Sequence, residues 1–229
     1  MIYLAGDIHG NHDIQKVIDF FELESLMHVL TKQDYLIILG DVAVCWDDDV
    51  HDEWVKKTLQ MLPVTVLWLD GNHENFDVLS AYPVRSWNGG KVHQIAPDIL
   101  HLMRGQCFEI DGRKIWTFGG GYSIDKMYRT EGISWWPQEM PNEEEYERGM
   151  EILKQENFQV DYILTHTAPR EVVESICNDI VSGEEELQYY LQRISQKADF
   201  KKWYFGHWHM DVSVGDKYQG LMEDVICLG

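Results

Sequence analysis

The chain has 229 residues, which fits one large domain spanning 1–229 better than two. Apolar residues make up 45% and charged residues 25%, ordinary proportions for a globular protein. Its 39 acids against 19 bases give a formal net charge of −20, which argues against duplex nucleic acid as a partner, since that is held by neutralising phosphates with Lys and Arg. A small anionic substrate stays open, because bound divalent ions reverse the field locally. No apolar run approaches the ~18 residues of a membrane span. The start of the chain lacks the basic flank and long apolar core of a signal peptide. The four cysteines, Cys45, Cys107, Cys177 and Cys227, form no C-x-x-C pair. The expected compartment is the reducing cytoplasm, with free thiols.

Taken in chain order, the recurring unit is a short apolar run followed at once by polar residues and Gly. Residues 2–5 lead into Gly6-Asp7-Ile8-His9-Gly10-Asn11. Asp13 can cap a helix running to about Val29, with Ile14, Val17, Ile18, Phe21 and Met27 among its apolar positions. Residues 35–39 lead into Gly40-Asp41, and 52–62 read as a second helix stopped by Pro63. Residues 64–69 lead into Asp70-Gly71-Asn72-His73-Glu74.

The middle reads differently. Short strands are predicted at 93–95, 99–103, 106–110 and 114–118, with Asp111-Gly112 as a hairpin turn and a second, partly antiparallel sheet. Residues 119–141 are irregular and rich in Gly and Trp. A third helix at 143–155 has acids crowding its first turn, as the helix dipole prefers. Residues 162–164 lead into Thr165-His166, 184–196 read as a fourth helix, and 203–205 lead into Gly206-His207-Trp208-His209. The tail reads as closing strands at 212–214 and 225–228. Apolar runs bounded in this way are buried strands, and their alternation with helices predicts an α/β architecture.

Five of the predicted strands deliver Asp7, His9, Asp41, Asn72, His166, His207 and His209 directly after their last residues. Ligand sites of open α/β sheets lie just beyond the carboxyl ends of strands. Each residue has a plainer reading: a strand-end Asp often caps a helix, an Asn after Gly suits a left-handed turn, and a lone His is more often a satisfied one. Delivery of all seven to one edge is hard to obtain by packing alone. Carboxylate, amide and imidazole without thiolate suits Mn, Fe, Zn or Ni. The spacing Asp7-x-His9 predicts both side chains on one side of an extended segment, within reach of one ion; His207-x-His209 shares a face in the same way, although a shared face need not mean a shared ion. His12, His28, His51, His93 and His101 match no motif position and read as structural or surface residues.

In order, Asp7-Ile8-His9, Gly40-Asp41, Gly71-Asn72-His73-Glu74, His166 and Gly206-His207-Trp208-His209 reproduce D-x-H, G-D, G-N-H-[DE], a lone His and G-H-x-H. The chain therefore resembles the calcineurin-like metallophosphoesterase family over residues 7–209. The resemblance implies a four-layer α-β-β-α sandwich with two mixed sheets packed face to face and helices outside. It implies two divalent ions, Mn or Fe ahead of Zn or Ni. Asp7, His9 and His209 would hold one, Asn72, His166 and His207 the other, and Asp41 would bridge them. His73 would be the non-ligand histidine that protonates the leaving oxygen or stabilises its charge. Such an ion pair clamps the attacking and leaving oxygens of an in-line displacement, with shared water as hydroxide near neutral pH.

The Ser/Thr protein phosphatase branch continues its second block as G-D-x-x-D-R-G, where this chain reads Gly40-Asp41-Val42-Ala43-Val44-Cys45-Trp46. Val44 and Cys45 replace that branch's supporting Asp and phosphate-clamping Arg. A small-molecule or nucleotide phosphomonoester or phosphodiester is thus the leading substrate, a protein phosphatase the runner-up, and a non-catalytic metal-binding module the alternative outside enzymes. Glu74 and Asp47–Asp49 are candidates for orienting His73, although Asp47–Asp49 also read as a solvated loop or helix start. Asn11, Arg85, Lys126 and Arg129 are candidate substrate contacts, with 119–129 a loop over the site. Trp46, Trp135 and Trp136 read either as a platform for a nucleobase or as packing.

Overall fold

The apolar runs preceding the metal-type residues are strands in the computed structural model of the chain, which describes residues 1–46, 50–177 and 183–228. In order, the elements are β1 (Ile2–Ala5), α1 (Ile14–Met27), β2 (Tyr35–Ile38), α2 (Val50–Met61), β3 (Thr65–Trp68), α3 (Phe76–Ala81) and β4 (Val84–Trp87). There follow β5 (Gly90–Ala96), β6 (Ile99–Leu102), β7 (Gln106–Ile110), β8 (Arg113–Phe118), α4 (Glu143–Gln155) and β9 (Tyr162–Thr165). The chain continues with α5 (Arg170–Ile176), α6 (Glu185–Ser195), β10 (Lys202–Phe205), β11 (Val212–Val214), β12 (Tyr218–Gly220) and β13 (Val225–Leu228). One seven-stranded sheet has the order β13-β1-β2-β3-β6-β5-β4 and one six-stranded sheet the order β11-β12-β10-β9-β8-β7. Strands β1, β2, β3 and β6 run parallel, as do β8, β9, β10 and β12, with antiparallel pairings toward the edges.

Alternation along the strands decides the layering. Ile2, Leu4, Ile37, Leu39, Leu67 and Leu69 of the first sheet share one buried cluster with Phe108, Ile115, Leu164 and Tyr204 of the second, so the sheets pack face to face. The opposite face of the first sheet, through Tyr3, Leu36, Ile38 and Trp68, packs on Val17 and Phe21 of α1 and on Val55 and Leu59 of α2. The outer face of the second, through Trp116, Ile163 and Trp203, packs on Leu153 of α4 and on Leu187, Leu191 and Ile194 of α6. This is the four-layer α-β-β-α sandwich. No helix among the described residues is long and apolar enough to cross a membrane.

Several details depart from the sequence reading. The middle strands form no sheet of their own. Strands β4 to β6 extend the first sheet while β7 and β8 join the second, and the chain crosses between them at Arg104 and Gly105, where Gly105 takes φ +67° with its Cα side against the backbone of Gly149. Local periodicity carries no information about which sheet a strand joins. Asp13 precedes α1 but makes no side-chain cap, because its carboxylate is engaged with His9. Met27 is 70% exposed and contributes nothing to the core. Helices α3 and α5, of six and seven residues, are too short to show a 3.6-residue period. Helix α4 starts on a capping box between Asn142 and Glu145, and Asp111 and Gly112 both take the positive φ that a two-residue hairpin requires.

Candidate metal centre

Strands β1, β2, β3, β9 and β10 all end at one edge of the sandwich, and the seven metal-type residues follow those ends. Ligand-type atoms of Asp7, Asp41 and His166 lie within 4.8 Å of one another, as do those of Asp7, His9 and His209. The carboxylate of Asp41 faces both ways: Oδ2 is 3.5 Å from His9 Nε2 and Oδ1 is 3.5 Å from His166 Nε2. Asn72 Oδ1 lies 3.1 Å from His166 Nε2, and Asp7 Oδ2 lies 3.4 Å from His209 Nε2. Asp7 also accepts the backbone N–H of His207.

The local backbone explains how these side chains converge, and it corrects the expectation of extended segments. His9, Asp41, His207 and His209 have φ of 41°, 49°, 66° and 49°. A left-handed turn, not a shared strand face, aims each one. Such conformations cost of order 1–3 kcal/mol each and persist where the surroundings over-determine them. Gly71 makes room for the bridge position, since a Cβ there would lie 2.0 Å from Asp41 Oδ1.

Hydrogen bonds set the protons of the imidazoles. His166 Nδ1 lies 2.7 Å from the carbonyl oxygen of Leu39, which can only accept, so Nδ1 carries the proton and the Nε2 lone pair points to Asn72 and Asp41. His9 Nδ1 donates to Asp13 at 2.8 Å, which turns Nε2 toward Asp41. His207 Nε2 is 3.1 Å from Glu184. The buried Glu184 carboxylate also accepts from Tyr122 N–H, Thr167 Oγ1 and Gln188 Nε2, at 3.0, 2.9 and 2.8 Å. Burial alone would raise the Glu184 carboxyl, but His207 and these donors outweigh it and hold it at about 2. Burial would likewise lower His9 and His207, yet Asp41 and Glu184 respectively raise them to about 9. Burial would also raise Asp41, and the surrounding imidazoles, His166 foremost, keep it well below the usual carboxylate range. Divalent ions compete with these imidazole protons, so binding them releases protons.

His73 donates its backbone N–H to Asp41 Oδ1 at 2.8 Å, and its ring faces Arg129, with Nη1 3.1 Å from Nδ1 and Nη2 3.4 Å from Nε2. Burial lowers the His73 pKa, and Arg129 adds to this against the opposing pull of Asp41. Glu74 does not reach His73. It is buried under the 41–43 turn, accepts from Val42 N–H at 2.9 Å, and is pushed well above the usual range by burial and by Asp41. Asp47–Asp49 lie outside the described residues.

The other candidates are dispersed. Asn11 is exposed and lines a groove of about 670 Å³ beside His9, His73 and His209, together with Trp46, His12 and His51. Lys126 is paired with Glu139 and lies over the rings of Tyr122 and Trp135, at 3.8 and 4.6 Å. Arg85 is exposed on β4, three strands from β3 at the sheet edge, and lines no part of the groove. Trp136 is buried and donates Nε1–H to Asp77. Residues 119–129 do run along the site: Gly121 abuts His166, Asn72 and His207, and Ser123 Oγ accepts from Asn72 Nδ2 at 3.1 Å. Sequence reasoning missed Glu184, which opens an acidic triplet with nothing to distinguish it from Glu185 and Glu186.

The family model for calcineurin-like phosphoesterases matches residues 1–211. No curated protein matches the chain. Among solved structures, phosphopantetheinyl hydrolase from Mycobacterium tuberculosis aligns at 15% identity and TM-score 0.49 over 96% of this chain and 89% of that one. A Staphylococcus aureus protein described as a 5′-nucleotidase, in complex with alpha-ketoglutarate, aligns at 13% identity and TM-score 0.51 over 96% of this chain. The alignment covers 48% of that protein, so this chain spans about half its length, and the likeness is one of fold.

Proposed function

The chain belongs to the calcineurin-like phosphoesterase family and is a metal-dependent phosphoesterase, and we propose that it hydrolyses phosphomonoesters or phosphodiesters of small molecules or nucleotides at a two-metal centre. The observation that carries this reading is the meeting of seven oxygen and nitrogen donors from five strand ends at one edge. Their chemistry fits Mn, Fe, Zn or Ni, and it is the family resemblance that puts Mn or Fe first. Asp7, His9 and His209 would hold one ion, Asn72, His166 and His207 the other, and Asp41, with an oxygen toward each set, would bridge. Ions bound there would supply an activated water and a Lewis-acid clamp on the phosphoryl oxygens.

This chain's own groups do the rest. Leu39 and Glu184 hold protons on His166 Nδ1 and His207 Nε2, leaving the other ring nitrogens as donors to metal. His73, in the lining of the groove, would protonate the leaving oxygen or stabilise its charge, and Arg129 beside it is placed to meet phosphoryl charge. The shared apolar layer between the sheets supports one domain over 1–229, and four free thiols suit the cytoplasm. A protein phosphatase is the weaker reading: Val44 and Cys45 are fully buried in the core beneath the site and offer no phosphate clamp.

The test is hydrolysis of p-nitrophenyl phosphate and bis-p-nitrophenyl phosphate by metal-stripped protein given Mn. Turnover should return with metal and fall about 10²–10⁴-fold in His73→Ala, and the preferred ester separates monoesterase from diesterase. Metal-loaded protein that cleaves neither ester nor any nucleotide overturns the reading.

A further inference from the structure

We propose that the groove beside the metal centre takes the ester group of substrates that carry a single phosphoryl group, and that this ester group is flat and uncharged, as in aryl or nucleoside monophosphates. The inference rests on the hydrolase reading above. At about 670 Å³ the groove is of the size that holds small-molecule ligands. His73, the group assigned to the leaving oxygen, lines it together with His9 and His209, so what leaves with that oxygen enters the groove.

The wall combines imidazoles with an indole and small apolar side chains: His9, His12, His51, His73 and His209 line it with Trp46. Trp46 is its largest side chain, with Ala43 and Val55 beside it. The Trp46 backbone is held on both sides, its N–H donating to Asp52 at 2.7 Å and its carbonyl accepting from Asn75 at 2.6 Å, and its indole sits edge-on to that of Trp136 at 5.6 Å. Trp136 is itself anchored to Asp77. The Trp46 ring lies 6.3 Å from that of His73. A fixed indole one ring from the proton donor is a preformed platform for a planar group, and stacking there needs no particular hydrogen-bond pattern.

The charges point the same way. The acidic residues of the groove's lining are Asp13 and Asp52, and no Lys or Arg lines it among the described residues. Lys126 is paired with Glu139, and Arg129, held by Asp125 and Ser134, faces the His73 ring beside the transferred phosphoryl group and forms no part of the groove's lining. The metal centre can neutralise one phosphoryl group. A second, on the groove side, would meet acids in a chain of net charge −20 and no fixed cation.

The test is steady-state kinetics on phenyl phosphate, a nucleoside monophosphate, the matching triphosphate and glycerol phosphate, with wild type, Trp46→Ala, Trp46→Phe and His12→Lys. His12 is an exposed residue of the lining, so its replacement adds a cation without disturbing the core. In wild type, kcat/KM for the triphosphate should be at least about tenfold below that for the monophosphate, and His12→Lys should narrow that gap severalfold. Trp46→Ala should cut the preference for phenyl over glycerol phosphate about tenfold, chiefly through KM, and Trp46→Phe should retain it. Equal efficiency on mono- and triphosphate, or an equal loss on every ester in Trp46→Ala, overturns the inference while leaving the hydrolase intact. Absence of turnover on every ester in metal-loaded wild type sinks the hydrolase reading and this inference with it.

Discussion

An imidazole can serve a metal through either nitrogen, and in the proposed centre Glu184 would remove the choice at His207. Its buried carboxylate takes the Nε2 proton and is itself fixed by Tyr122, Thr167 and Gln188. Outer partners of ligating histidines typically contribute 10–100-fold to metal affinity. Glu184→Gln, which keeps the shape and loses the charge, should therefore weaken metal binding by about that factor in a competition titration against a chelator. Unchanged affinity contradicts the role. That seven metal-type side chains gather at one strand edge was legible in the sequence, since each follows directly on a buried apolar run. Arg129 was named from the sequence as a substrate contact, but neither its pairing with His73 nor the contact of Glu184 with His207 was legible there. Glu184 lies 23 residues from His207 and Arg129 lies 56 from His73, and only the packing of 119–129 along the strand ends brings them in.

Between elements, Arg104 is the tie that holds this segment. Its buried guanidinium bonds Asp70 at the end of β3 at 2.7 Å, the carbonyls of Gln138 and Glu139 at 2.8 and 3.1 Å, and Glu145 of α4 at 3.1 Å. Removing one partner of a buried ion pair costs about 3–5 kcal/mol. Arg104→Met should lose roughly that much in denaturant unfolding, and a loss below about 1 kcal/mol contradicts it. Asp70 also meets His101, and His101 meets His93, at 3.0 Å each. Burial, with His101 adding, holds the His93 pKa down at about 4. Its unfolded value is about 6.5, so below that pH the unfolded chain binds the extra proton. Stability is then full above pH 6.5 and falls as pH drops toward 4. His93→Phe should flatten that part of the pH–stability curve, and an unaltered slope counts against the account. The same region shows where sequence reading stops among elements. Strands β5 to β8 were visible as apolar runs, but their division between two sheets depends on the crossover at Arg104 and Gly105.

For the molecule as a whole, two apolar interfaces outside and one between the sheets make a sandwich whose strand ends form a rigid platform. Alternating strand and helix patterns made the α/β class legible, whereas face-to-face stacking came from the family resemblance, because period-2 alternation marks two faces without naming what covers each. The acidic excess is spread over a chain in which Asp7, Asp41 and Glu184 are buried together at one edge. Cations bound there stabilise the fold by mass action. The most direct measurement is calorimetric titration of metal-stripped protein with Mn, in wild type and Asp41→Asn. The account expects two ions per chain, with both weakened in Asp41→Asn because Asp41 faces both ligand sets. A single ion per chain, or a loss confined to one of two sites in Asp41→Asn, would contradict the two-metal centre with Asp41 as its bridge.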